Sequence, residues 1–388
     1  MNRIIPAALI FILILGVMGC ETPQTETGMN DVTKENVSDA LKYYDFGKEY
    51  LKNKQYDSAI KNFEKAIADS SGFKDAYIGL GEAYESKMFY TKAEETYERL
   101  MEEMPSHPAA YTALGSLYTK LREYDKAEQY FDAALDKDPE FANAWYGKGK
   151  LLEAKYSGRE GILKALSCYE KACAIDNENL SLAYKYGKAL IESGQYKEAQ
   201  AFLKKVVDSH PKIVGPLTNL AEAYLESDDY EEAAEAFKKT IQLDPTIVNS
   251  YLGLARSYQG MGEWTDAKDA YLKLAEEKPN SIIPYLYLGQ MYLNLKNYDQ
   301  AIFYLKKGHD MSPSDTRTLL LLGQAYFFKG NPKDVKTEDD REDAYENLEI
   351  SEGYFKQIIE LGRNYVGEAE KGLNNISNWR KELDPTRW

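Results

Sequence analysis

Histidine and cysteine are scarce in this sequence, three of each in 388 residues. So few cannot make a disulfide framework. His107 and His210 sit in Ser-His-Pro triplets at segment junctions, and His309 stands alone. H-E-x-x-H, G-x-S-x-G, C-x-x-C and phosphate-cradling glycine loops are all missing. No catalytic residue, cofactor or metal site is therefore expected. Positive charge is in deficit: 48 Lys plus Arg face 63 Asp plus Glu, a net charge of −15. Such a surface repels phosphate backbones and acidic headgroups, which argues against nucleic acid as a partner. The acidic run Glu338, Asp339, Asp340, Glu342 and Asp343 lacks the alternating spacing and central glycine of a calcium loop and reads as a solvated loop. Cys168 and Cys173 are five apart on one expected helix, about 140° around it, and read as packed free thiols.

The apolar run Ile4 to Val17 is shorter than the ~20 residues a spanning helix needs. It follows Arg3 and ends in Val17-Met18-Gly19-Cys20, the layout of a secretory leader. Val-Met-Gly-Cys resembles the lipobox of bacterial lipoproteins. The resemblance implies that residues 1–19 are removed and that Cys20 is diacylated, since two chains hold a protein to a bilayer stably. Residue Glu21 is not the aspartate that resembles an inner-membrane retention signal. The expected location is the cell envelope, at the periplasmic face of an outer membrane or the outer leaflet of the cytoplasmic membrane. Residues 20–38 are polar and read as a disordered tether with a reach of roughly 20–25 Å.

What is abundant is repetition. Gly47, Gly81, Gly115, Gly149, Gly187, Ala221, Ala255, Gly289 and Gly323 recur every 34 residues, with one spacing of 38. Alanine follows twelve later, from Ala59 to Ala301, and a large apolar residue four after that, from Phe63 to Leu305. Pro105, Pro139, Pro211, Pro245, Pro279 and Pro313 close most units. Large residues four before the small one, such as Tyr43, Tyr77, Trp145 and Leu319, share its helix face. Each unit thus reads as two helices meeting at small residues, with proline turning the chain into the next. Much of the excess of 32 tyrosines sits at such repeated positions.

This pattern resembles the tetratricopeptide repeat (TPR) at its signature positions. The resemblance implies an all-α fold: a right-handed superhelical solenoid of about nine helix-turn-helix units over 40–362. Units fall near 40–73, 74–107, 108–141, 142–179, 180–213, 214–247, 248–281, 282–315 and 316–362, the last with a charged insertion at 331–342. Residues 365–388 read as a capping helix and tail, since a stack must cover its last apolar face.

In the family the first helices line a concave groove that takes protein or peptide partners. Carried over, that groove holds Tyr44, Ile78, Tyr146, Lys150, Tyr184, Lys185, Lys188, Asn219, Asn249, Leu252, Arg256, Leu286, Tyr287, Leu320 and Phe327. Lys150, Lys185 and Lys188 either receive an acidic segment or balance Glu153 and Glu192. Lys188, Asn219 and Asn249 partly match a family clamp for carboxylate termini, but Tyr184 and Gly253 replace two of its cations, so no such capture is expected. The apolar residues of the last two units form a binding patch, or are covered by the insertion or the terminal helix. Three functions fit: a lipid-anchored scaffold for assembling an envelope machine (pilus, outer-membrane protein insertion or polysaccharide export), an adaptor for cell-wall hydrolases, and a glycan-binding module. The sequence leaves the oligomeric state open.

Overall fold

The structure, a computed structural model, describes residues 27–384, with side chains from Asp39 onward. The leader, Cys20 and residues 385–388 lie outside the described residues. Contacts divide the chain into two compact units, one ending at Gly147 and one beginning at Lys148, where the repeats read as a single run. In the first, α1 (Thr27–Lys52) pairs with α2 (Tyr56–Asp69), α3 (Lys74–Ser86) with α4 (Tyr90–Glu103), and α5 (Pro108–Lys120) with α6 (Tyr124–Lys137). The division falls inside α7 (Ala142–Lys155). After the end of α7, the second unit continues with α8 (Arg159–Ile175), followed by α9 (Leu180–Glu192) with α10 (Tyr196–Ser209) and α11 (Val214–Leu225) with α12 (Tyr230–Leu243). Then come α13 (Val248–Met261) with α14 (Trp264–Glu277), α15 (Ile283–Asn294) with α16 (Tyr298–Met311), and α17 (Thr316–Lys329) with α18 (Glu338–Leu361). The last helix is α19 (Val366–Glu382), and no strand occurs among the described residues.

Two sequence expectations are corrected. Residues 27–38 of the tether expected over 20–38 are helical, because α1 already begins at Thr27. Polar composition denies a segment a core of its own, but helix extension from an existing turn needs only one hydrogen bond per residue. The acidic run at 338–343 is not a loop: it forms the first turns of α18, after a 3-10 turn at Pro332–Asp334. Thr337 and Asp340 form a reciprocal capping box there, and carboxylates suit the positive end of the helix dipole.

The repeated small residues are where helices touch. A Cβ on Gly81 would lie 2.1 Å from the ring of Tyr97, and one on Gly187 would lie 2.4 Å from Leu203. A second rule emerges from the packing. Phe63, Phe131, Phe237 and Phe355 each also press against a glycine of the following first helix or of α19: Gly79, Gly147, Gly253 and Gly372. Where this filler is Tyr or Leu, the following helix carries a side chain, as in Ala113, Lys185, Asn219, Tyr287 and Leu321. At these four glycines the ring lies where a Cβ would stand.

Every regular first helix ends in the same way. Lys54, Met88, Arg122, Asp228 and Lys296 have φ of 57–63°, with Gly194 and Gly262 at the equivalent places. The next residue's N–H bonds back five residues, as from Phe89 to Tyr84 O at 2.9 Å, which is the Schellman closure. Non-glycine residues in this left-handed region are strained by about 1–2 kcal/mol. Met88→Gly is therefore expected to raise stability by about 0.5–1 kcal/mol after the entropy cost of glycine, and Gly262→Ala to lower it by about 1 kcal/mol. Urea unfolding of the two variants should move in opposite directions; equal shifts would remove the strain argument.

Successive first helices touch one another within each unit: α1 with α3, α3 with α5, α9 with α11, α11 with α13, and α15 with α17. Second helices chiefly meet first helices, not each other. The first helices therefore line one side of each unit, in direct contact from α1 to α5, from α9 to α13 and between α15 and α17.

Candidate functional site: the wall of first helices

The second unit holds the best-defined stretch of this wall, across α9, α11, α13 and α15. Tyr184 on α9 is 40% exposed, although its neighbours along the helix, Leu182 and Ala183, are buried. Two features fix it. Asn219 of α11 is buried and donates to the Tyr184 carbonyl at 3.0 Å. Gly215 of α11 lies under the ring, where a Cβ would stand 3.1 Å from Cδ2. Thr218 and Leu252 continue the strip as half-buried residues, and Asn249 is exposed.

A row of charges borders the strip. Lys188 pairs with Glu192 at 3.5 Å, and Arg256 with Glu226 at 3.1 Å. Glu222 stands between them on α11. Burial raises its carboxyl pKa, Lys188 and Arg256 lower it, and Glu226 and Glu192 raise it further. Cations and anions are thus interleaved, two of the first against three of the second. Lys185 donates to Glu153 at 2.7 Å and lies 5.3 Å over the Tyr169 ring. Lys185 and Lys188 thus pair with Glu153 and Glu192, as in the second of the two readings of these lysines. Lys150 is exposed.

Several other expected groove residues are interior. Leu286, Leu320 and Phe327 are only 6–8% exposed. Phe327 is stacked by Trp379 of α19, ring centroids 3.9 Å apart at 19°. The terminal helix thus covers Phe327 and packs into the cluster that holds Leu320. Phe328, next to it, remains 43% exposed. Tyr287 is half-buried, stacked 5.9 Å from Tyr271 and covered by Arg317 at 5.3 Å. In the first unit, Tyr44 packs 4.9 Å from Phe73 with Lys48 above it, and Ile78 borders the buried core. Tyr146 is half-buried on α7.

Sequence reasoning missed Gly215, Trp379 and the partner of Arg256, Glu226. Gly215 had a readable signal, being the one glycine at its repeat position, where Leu41, Asp75, Ala109, Asn143, Ser181, Asn249, Ile283 and Arg317 stand otherwise.

Among the described residues, no cluster of His, Cys, Asp and Glu could hold a metal ion, and no helix is long and apolar enough to cross a membrane. Cys168 and Cys173 are buried, and burial, then Asp176, pushes the Cys173 thiol up to about 12.

Family models described as tetratricopeptide repeat match residues 44–108, 90–151, 219–289 and 285–315, together more than half of the chain. A model described as anaphase-promoting complex, cyclosome, subunit 3 matches 162–240. No curated protein sequence matches. Among solved structures, YrrB, "a TPR protein with an unusual peptide-binding site", is 23% identical over 47% of this chain and 92% of its own, with a TM-score of 0.35. PilW, a "widely conserved type IV pilus biogenesis factor", is 20% identical over 54% of this chain and 94% of its own, TM-score 0.44. A tetratricopeptide repeat protein from Parabacteroides merdae is 17% identical over 76% of this chain and 99% of its own, TM-score 0.36. The 34-residue period, the helix pairs and these family models agree that the chain belongs to the tetratricopeptide repeat family, whose members bind protein and peptide partners.

Proposed function

We propose that the chain is a non-catalytic interaction scaffold of the cell envelope, anchored by lipid at Cys20, that receives a segment of a partner protein along the α9–α15 wall. Tyr184 carries this reading. Its backbone is held by the buried Asn219, its ring lies against Gly215, and the side chain is 40% exposed. A rigid aromatic of this kind gives contact area at little entropic cost, which is why tyrosine dominates interface hot spots. The strip beyond it offers Thr218, Asn249 and Leu252, and the mixed charge row selects a partner with both signs rather than a uniformly acidic tail. Assembly of an envelope machine is the favoured role, because tethering and a long contact wall both raise the effective concentration of partners.

Tyr184→Ala in the full chain is expected to lower partner recovery about 10-fold in affinity purification from the host. Lys204→Ala, on the second helix α10, should leave recovery unchanged, and Cys20→Ala should release the chain from the membrane fraction. Equal losses from Tyr184→Ala and Lys204→Ala would sink the wall as the binding site. Recovery of soluble glycans without any protein partner would favour the glycan-binding reading instead.

A further inference from the structure

The first helix of the stack differs from all later first helices on one face. Three positions of each later first helix are turned toward the preceding second helix. The first is small or apolar and closed from solvent, as at Ala76, Ala110, Leu182 and Ser250. The second is mostly leucine, with Leu80, Leu114, Leu220, Leu254, Leu288 and Leu322 no more than 7% exposed. The third is again closed, as at Ala83, Leu117, Ala189 and Ala223. In α1 the same three positions are Lys42, Phe46 and Glu49, all exposed, Phe46 by 42%.

We propose that this face of α1 is a self-association surface that takes a second copy of the chain, the two α1 helices antiparallel about a two-fold axis near Phe46. An apolar helix of repeat type does not fit there, because it would bury Lys42 and Glu49 without partners. The occupant must supply an acid opposite Lys42, a base opposite Glu49 and an apolar group between them. A second α1 run antiparallel supplies all three. Lys42 and Glu49 are seven residues apart with Phe46 between them, on one helix face. Turned end for end, each Lys42 meets the other copy's Glu49, and the two Phe46 rings meet at the axis. A parallel alignment would place Lys42 on Lys42 and Glu49 on Glu49, so the charges select the isologous arrangement. Half-buried Tyr43 and Tyr50 flank the contact. This inference does not depend on the α9–α15 wall.

The test is sedimentation velocity of the full chain in mild detergent, at about 150 mM salt, where repulsion between two chains of −15 is screened beyond ~8 Å. The wild type is expected to show a concentration-dependent monomer–dimer equilibrium. Phe46→Glu should raise the dissociation constant about 10-fold or more. Lys42→Glu should weaken the dimer several-fold, and adding Glu49→Lys to it should restore the wild-type constant to within about 2-fold. All three side chains are exposed, and unchanged circular dichroism would confirm that the variants fold. A wild type that stays monomeric up to its solubility limit overturns the proposal. So does a dimer indifferent to Phe46→Glu, or a charge swap that fails to restore it.

Discussion

Gly253→Ala is expected to destabilise the second unit by about 2 kcal/mol, although alanine is the better helix former by about 1 kcal/mol. The added Cβ would lie 2.2 Å from Cζ of Phe237, a contact no real methyl group makes. Phe237 is 1% exposed and shares its buried cluster with Ala221, Leu220 and Leu254, so the ring has nowhere to move without shifting α13. The effect is specific to the ring. Phe237→Leu combined with Gly253→Ala should cost about 1 kcal/mol less than the sum of the single changes, because Leu203 and Leu305 already face side chains at this place. Gly353, on α18, supplies the contrast, because a methyl group there would meet nothing within 4 Å. Gly353→Ala should therefore stabilise by up to about 1 kcal/mol. Urea unfolding of the three single variants and the double variant decides the matter. A stabilised Gly253→Ala would mean that the ring and helix adjust freely, and the pairing of phenylalanine with glycine would lose its physical basis.

Trp379→Ala is expected to cost about 3 kcal/mol and to open the end of the second unit. The indole stacks on Phe327, and the cluster beneath contains Leu320, Leu348, Phe355, Ile376 and Leu383. In a repeat stack the last unit has no following neighbour, so its apolar face depends on the cap. Hydrogen exchange should accelerate in α17, α18 and α19 while α9 to α13 remain protected, because stability in such arrays is local. Binding of an apolar dye should rise as Leu320 and Phe327 come into contact with water. Uniform acceleration across the unit would contradict a local cap. No acceleration at all would mean that Phe327 is held without the indole.

The repeat register was legible because it is redundant. Glycine or alanine every 34 residues, alanine twelve later and a large apolar residue four beyond can recur only if successive segments bury the same faces. The pairing of Phe63 with Gly79, Phe131 with Gly147 and Phe237 with Gly253 was present in the same letters. It relates one unit to the next, however, and becomes visible only when the ring is seen lying across two helices. The distinct face of α1 was also readable, since Lys42 and Glu49 stand where later units carry small or apolar residues. The acidic run at 338–343 misled because charge argues for solvent exposure, and a helix N-terminus satisfies that as well as a loop does.

By itself the sequence determined the fold class, the helix pairs, the turns between them and the small residues at their contacts, because these rest on local preferences and on contacts one repeat apart. Only the tertiary structure decided which wall residues face water. Leu286, Leu320 and Phe327 carried the same signal as Leu252 and Tyr184, yet the first three are buried and Tyr184 is exposed. Trp379, 52 residues beyond Phe327 and outside the repeat, closes the terminal patch. Exposure depends on aperiodic, longer-range neighbours, and a 34-residue period carries no information about those.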